Sequence, residues 1–263
     1  MDIIDSHFHI IGARDMEPSL PFAPPPFTVD TYLQVTDRIV GGRITGGVVV
    51  GGSKNERAET LRESLEQLEL EARSRGFARA DGRNFIGMIT GTSDLGAERV
   101  LTLHAEGIRG IRFNLLRGQP IAEGDLLAVA EKVHDIAGWT TDIAVDIAER
   151  PELADELADL PAVCINHLGV SGVGVPKLVE LASCGVRVKA TGFGRIDFAA
   201  ADALDKIHRA NPEALMFGTD LPGTRAQRRF EQGDVDLLVD VLGEWEMRRI
   251  MHDNAADFYD FSA

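Results

Sequence analysis

Cysteine is scarce in this chain. Cys164 and Cys184 are the only two in 263 residues, too few for a disulfide framework and not spaced as a zinc-binding pair. Both are expected to be buried free thiols. Positive charge is also short: 27 Lys and Arg face 42 Asp and Glu, giving a net charge of −15 and no general basic face for nucleic acid. No apolar run approaches the roughly 18 residues that a membrane span needs. The opening MDIIDSHFHI sets acids and histidines where a signal peptide carries a basic stretch and then an apolar one. Neither nucleic acid nor membrane is therefore an expected partner, and the expected location is the cytoplasm. No GxGxxG or GxxxxGK[ST] phosphate loop follows the first apolar segment, and no Ser or Cys stands in a GxSxG context. A nucleotide-binding open sheet and a serine-triad esterase both lack their signatures.

What is present is ordinary globular composition, 44% apolar and 26% charged, in a length that suits one (β/α)8 barrel of about 250 residues. One domain over 1–263 is expected. Short β-rich segments fall at about 2–9, 46–50, 85–90, 109–115, 141–147, 162–167, 185–191 and 214–220. Helical patterns separate them. The clearest has Leu61, Leu65, Leu68 and Ala72 on one face, and weaker ones cover roughly 28–39, 95–106, 123–137, 151–159, 175–183, 199–210 and 234–242. A last segment, about 245–260, reads as one further C-terminal helix. Eight strands alternating with helices require parallel pairing through right-handed crossovers, which a closed TIM barrel satisfies. Chemistry in such barrels sits at the carboxyl ends of the strands. The Pro-rich stretch Pro18–Pro26 is expected to be a loop over one end of the fold. No segment announces the exposed apolar patch that would mark a homo-oligomer, so assembly stays open.

The strand ends hold the candidates. The first ends in Asp5-Ser6-His7-Phe8-His9, where period 2 puts Asp5, His7 and His9 on one face, two imidazoles at the mouth with a carboxylate to orient them. Such a pair suits metal ligation or polarisation of a carbonyl. Parity in the sixth strand turns Val163, Ile165 and His167 inward, and in the eighth it groups Ala214, Met216, Gly218 and Asp220. The fourth strand directs Arg112 and Asn114 to one face, with Ile111 and Phe113 outward, so Arg112 is a candidate anion clamp. Arg195, just past the seventh strand, is a second. The fifth strand offers Asp142, Ala144 and Asp146 on one face and no histidine. His104, His134, His208 and His252 fall in or near helices and are read as solvated or capping residues. Arginines at the functional end of an acidic chain point to a small anionic substrate recognised locally.

These motifs resemble the amidohydrolase superfamily, in particular the branch of 2-pyrone-4,6-dicarboxylate lactonase and sugar-lactone hydrolases. Nearly the whole chain takes part. The carriers are Asp5-Ser6-His7-Phe8-His9, Gly107-Ile108-Arg109-Gly110-Ile111-Arg112-Phe113-Asn114, Ile165-Asn166-His167-Leu168-Gly169, Gly218-Thr219-Asp220-Leu221-Pro222 and the closing Asn254-Ala255-Ala256. The resemblance implies a distorted barrel in which Asp220 is the general base. It also implies that His7, His9 and His167 hold and polarise a lactone carbonyl, directly or through one divalent metal, zinc or manganese, with Asp220 as the fourth ligand. The clamp arginines map by motif onto Arg112, Arg195 and Arg109. Two positions depart from the wider superfamily: the fifth strand has Ala144 where many members place a metal-binding His or an aromatic, and the fourth has no Lys to bridge two metals. A binuclear site is accordingly not expected. Hydrolysis of a carboxylate-bearing lactone or cyclic ester is the leading expectation. The competing ones are lactone isomerisation, metal-dependent decarboxylation and a binding barrel without catalysis.

Overall fold

The computed structural model describes residues 1–12, 24–40, 43–51, 58–79 and 82–261. The segment 13–23, which holds the start of the Pro-rich stretch, lies outside the described residues. Eight strands form one parallel sheet in chain order: β1 (Asp2–Phe8), β2 (Arg43–Val50), β3 (Phe85–Thr90), β4 (Ile108–Asn114), β5 (Thr140–Ala144), β6 (Val163–Ile165), β7 (Arg187–Ala190) and β8 (Leu215–Phe217). Backbone bonds just past the strand ends join the two edges, Asp220 N to His7 O at 2.7 Å and His9 N to Leu221 O at 2.8 Å. The sheet is thus a nearly closed (β/α)8 barrel.

The intervening helices are α1 (Val29–Ile39), α2 (Ala58–Ser74), α3 (Ala97–Ala105), α4 (Glu123–Ala137), α5 (Pro151–Leu157), α6 (Val175–Ser183), α7 (Ala200–Ala210) and α8 (Gln232–Leu242). Five of them start or stop on recognisable local chemistry. Thr28 Oγ1 accepts from Thr31 N at the start of α1, Pro stands in the first turn of α5 and of α6, Glu231 and Asp234 close a capping box on α8, and left-handed Gly138 ends α4. Leu61, Leu65, Leu68 and Ala72 of α2 are buried against the sheet, each leucine contributing about 1.5–3 kcal/mol by leaving water.

The apolar residues divide into two layers. Ile3, Phe8, Val49, Ile111, Phe113, Val163, Ile165, Val188 and Phe217 pack between strands and helices, whereas Ile4, Val48, Val50, Ile86, Met88, Cys164 and Met216 fill the barrel. Ala255, Tyr259 and Phe261 from the C-terminal end complete that inner cluster. The last segment is not one helix as its pattern suggests. A 3-10 turn (Glu244–Glu246) and a π-helical stretch (Arg249–Asp253) precede a short α9 (Asn254–Phe258), and Asn254 Nδ2 ties it beneath β8 through Pro212 O and Leu215 O at 3.0 and 2.8 Å. One cysteine differs from expectation: Cys164 is buried inside the barrel, but Cys184 is exposed where α6 ends.

Candidate active site

His7, His9, His167 and Asp220 meet at the barrel mouth. The His7 ring centre lies 5.1 Å from that of His9 and 4.9 Å from that of His167, all edge to face. Nε2 of His7 and Nε2 of His9 each lie 3.8 Å from Asp220 Oδ1. The chain reaches this arrangement by breaking strand geometry twice. In β1 the register against β2 slips between Asp5 and Phe8, so three steps on one strand match two on the other. The slip puts Ile4 inside and Phe8 outside although period 2 assigns them one face, and it separates Asp5 from His7. Asp5 does not share the histidines' face. Its carboxylate accepts from His7 N and Thr219 N on Oδ1 and from Tyr32 Oη and Thr219 Oγ1 on Oδ2, at 2.6 to 3.1 Å, and so fastens β1 to β8 and α1. Burial pushes its carboxyl up to about 6 against those four donors.

The second break follows β6. Val163 and Ile165 face the helices and Cys164 the interior, the reverse of the parity read from sequence. His167 enters the site because the chain leaves the strand and turns left-handed at His167 (φ 54°) and Leu168 (φ 49°), with Val170 (φ 58°) soon after. Asp220 is left-handed too, at φ 55°. Such backbone costs on the order of 1–3 kcal/mol per residue and concentrates at functional sites. Gly192 (φ +64°), just past β7, lies against His167, where an added Cβ would overlap Nδ1 and Cγ of the ring. Gly192→Ala is therefore expected to displace His167 and to lower turnover by about 100-fold, as a misplacement near 1 Å can, while the far-ultraviolet circular dichroism keeps its shape. Unchanged turnover would show that the ring position does not matter.

Charge surrounds the cluster. Arg195 binds Asp220 with both arms, Nε to Oδ2 at 2.5 Å and Nη2 to Oδ1 at 3.2 Å, and holds Thr224 O at 3.1 Å. Arg112 is buried, gives Nη1 to Gly51 O at 3.3 Å and leaves Nε without a partner among the described residues. Its guanidinium is brought down to about 10 by burial, so it stays charged at neutral pH. Burial raises the Asp220 carboxyl above its usual range, opposed by Arg195, Arg112 and Arg117. Burial, first of all, holds His7 and His167 well below the usual histidine range and His9 at about 3. All three are neutral imidazoles at neutral pH. His9 Nδ1 lies 2.6 Å from Val50 O, a pure acceptor, so Nδ1 carries the proton and Nε2 faces Asp220 bare.

Asn114 ends β4 beside the mouth, its Oδ1 unpartnered among the described residues and its N–H held by Gln119 Oε1 at 2.8 Å. Arg109 is not brought to the cluster. It stands at the opposite, amino end of β4, where its Nη1 donates to His104 O and Ile108 O at 2.6 and 2.9 Å. The other helical histidines stay away from the cluster; His104, for example, accepts Nε1–H of Trp139 at 3.2 Å. Strand-end position does not single out Arg117, in the turn after β4, or the pairing of Asp142 with Lys189. Lys189 Nζ binds Asp142 Oδ2 inside the barrel and donates to Ser6 O at 2.6 Å, with the Tyr259 hydroxyl 3.3 Å from Asp142 Oδ1. A lysine flanked by Val188 and Ala190 in a short buried strand was the available signal.

Ligand atoms of His7, His167 and Asp220 lie within 4.8 Å of one another, a spacing open to one small divalent ion; His9 is not in that group. The surroundings of these donors do not fit a resident metal. A ligating histidine normally donates its far N–H to an acceptor, but the far nitrogen of His7, Nδ1, lies 3.4 Å from the Lys189 ammonium. Both oxygens of Asp220 are engaged by Arg195.

The chain is similar in structure to a probable 2-pyrone-4,6-dicarboxylic acid hydrolase from Acinetobacter baumannii with citric acid bound (19% identity, TM-score 0.78, 99% of this chain and 100% of that one). It is similar to a Pseudomonas putida protein provisionally given the same activity (20%, 0.72, 99% and 98%) and to Metarhizium anisopliae IDCase (15%, 0.60, 100% and 98%). At these identities the likeness shows the fold alone. No curated protein matches in sequence. The amidohydrolase family profile matches residues 4–261, and since that stretch carries both the histidine and the aspartate ends of the cluster, the chain belongs to the amidohydrolase family, a membership that supports a hydrolase.

Proposed function

We propose that the mouth cluster hydrolyses a lactone, or another cyclic ester, that carries a carboxylate. The observation that carries the reading is Asp220 itself: a buried carboxylate with two imidazole nitrogens 3.8 Å from one oxygen and an arginine fork on both. A water beside Oδ1 would lose its proton to Asp220 while its oxygen attacks the carbonyl carbon. His7 gives Nε2–H to the carbonyl oxygen as charge develops there, and His167 lies against it; His9, with its bare Nε2, accepts a hydrogen bond from the water. The ring C–O bond then breaks, the leaving oxygen takes the proton from Asp220, and the product is the ring-opened hydroxy acid. A zinc or manganese ion at the same donors is the competing arrangement, and no step here requires one.

Arg112 and Arg195 would receive the substrate carboxylate. In the protein alone Arg195 neutralises Asp220, so a carboxylate that draws the guanidinium away also frees the base. Citric acid, which the similar A. baumannii protein binds, is a small polycarboxylate, and this supports an anionic ligand. Losing a charge-assisted contact costs about 1.5–3 kcal/mol, so Arg112→Ala is expected to raise KM roughly 10- to 100-fold with kcat little changed. The test compares a carboxylate-bearing lactone with its neutral analogue. An equal effect on both would remove the clamp, and product analysis showing a shifted ring or released CO2 would replace hydrolysis by isomerisation or decarboxylation.

A further inference from the structure

The buried lysine beneath the cluster has no part in the reaction just described, yet it touches one of its histidines. Lys189 Nζ is fully buried and meets three acceptors: Asp142 Oδ2, Ser6 O at 2.6 Å and His7 Nδ1 at 3.4 Å. The Tyr259 ring closes the remaining side, its centre 5.5 Å from Nζ. An ammonium has three protons and no lone pair, so each acceptor takes one proton and His7 Nδ1 must present its lone pair. A neutral imidazole whose Nδ1 is an acceptor carries its proton on Nε2, the atom that faces Asp220 and has no hydrogen-bond partner among the described residues.

We infer that Lys189 is a positioning residue that holds His7 in the Nε2–H tautomer, so that this histidine offers the site a proton donor rather than a metal ligand. The two histidines of the first strand then have opposite tautomers. His9 gives Nδ1–H to Val50 O and shows a bare Nε2, whereas His7 shows Nε2–H. One motif supplies one acceptor and one donor, which lets a single pair of rings orient a water and polarise a carbonyl. Asp142 and the Tyr259 hydroxyl keep the lysine in place from below, so the C-terminal end of the chain takes part in setting a proton at the opposite end of the barrel.

The inference deepens the hydrolytic reading for the same site, but its test needs no substrate, so the two fail separately. Long-range proton–nitrogen correlation spectra of histidine-labelled protein at neutral pH, with His7 assigned by its loss in His7→Gln, are expected to show Nδ1 bare and Nε2 protonated. A proton on Nδ1 would overturn the inference. The double variant Lys189→Met with Asp142→Asn removes both buried charges, and in it His7 is expected to lose its Nε2–H preference. Zinc chloride titrated into that variant should bind about 10- to 100-fold tighter than into the unaltered protein, the range commanded by groups behind a ligating histidine. Equal zinc affinity with an unchanged His7 spectrum would also overturn it. Should the variant not fold, the spectrum of the unaltered protein decides alone.

Discussion

Asp220→Asn is expected to lower kcat by roughly 10²- to 10⁴-fold, the share that a positioned general base supplies. The fold should survive the change for local reasons. Asn is among the few residues that adopt left-handed backbone readily, so φ 55° at this position is tolerated. Its amide oxygen still accepts one arm of Arg195, and the backbone bond from this residue to His7 O is untouched. Turnover followed by acid release, beside a thermal melt within a few degrees of the original, separates lost chemistry from lost structure. An unchanged kcat would take the base assignment away from Asp220.

Asp142→Ala is expected to be the most destabilising of the single substitutions considered. It leaves the Lys189 ammonium fully buried with only Ser6 O and His7 Nδ1 as acceptors, and breaking such a buried pair costs about 3–5 kcal/mol. The Tyr259 hydroxyl loses its acceptor as well. An exposed pair provides the contrast. Lys206 and Asp202, one turn apart on α7 with side chains 55% and 71% exposed, should yield no more than about 0.5 kcal/mol on Asp202→Ala. Urea unfolding reads both through the midpoint, provided the slope is unchanged. Equal effects would mean that the buried pair is relaxed by solvent entering the barrel.

Much of this architecture is legible in the chain because its local signals agree. The eight strands fall where β-rich segments alternate with amphipathic ones, and Leu61, Leu65, Leu68 and Ala72 announce α2 by spacing alone. His7, His9, His167 and Asp220 are found by asking which polar residues end strands, a question the barrel geometry licenses. What escapes is whatever departs from period 2. The slip in β1 sends Asp5 to the helix layer, and His167 joins the cluster through a left-handed turn past β6, not by strand parity. Arg109 is drawn in by motif, although its place at the amino end of β4 removes it from the mouth. Lys189 and Asp142 lie on separate strands, 47 residues apart; a lysine between Val188 and Ala190 is a signal, but only closure of the barrel shows its partner. The C-terminal segment keeps its apolar pattern yet breaks into 3-10, π and α turns because it must both hold β8 and plug the barrel floor.

Metal-free opening of a carboxylate-bearing lactone by Asp220 as base is the proposal that sets this site apart from its zinc or manganese alternative. Its most direct test follows the hydrolysis of such a lactone in ¹⁸O-water by chelator-treated protein whose metal content has been counted per chain. Turnover is expected at the untreated rate, with ¹⁸O entering the new carboxylate of the ring-opened acid. No turnover, or turnover that returns only when zinc or manganese is added back, would contradict it.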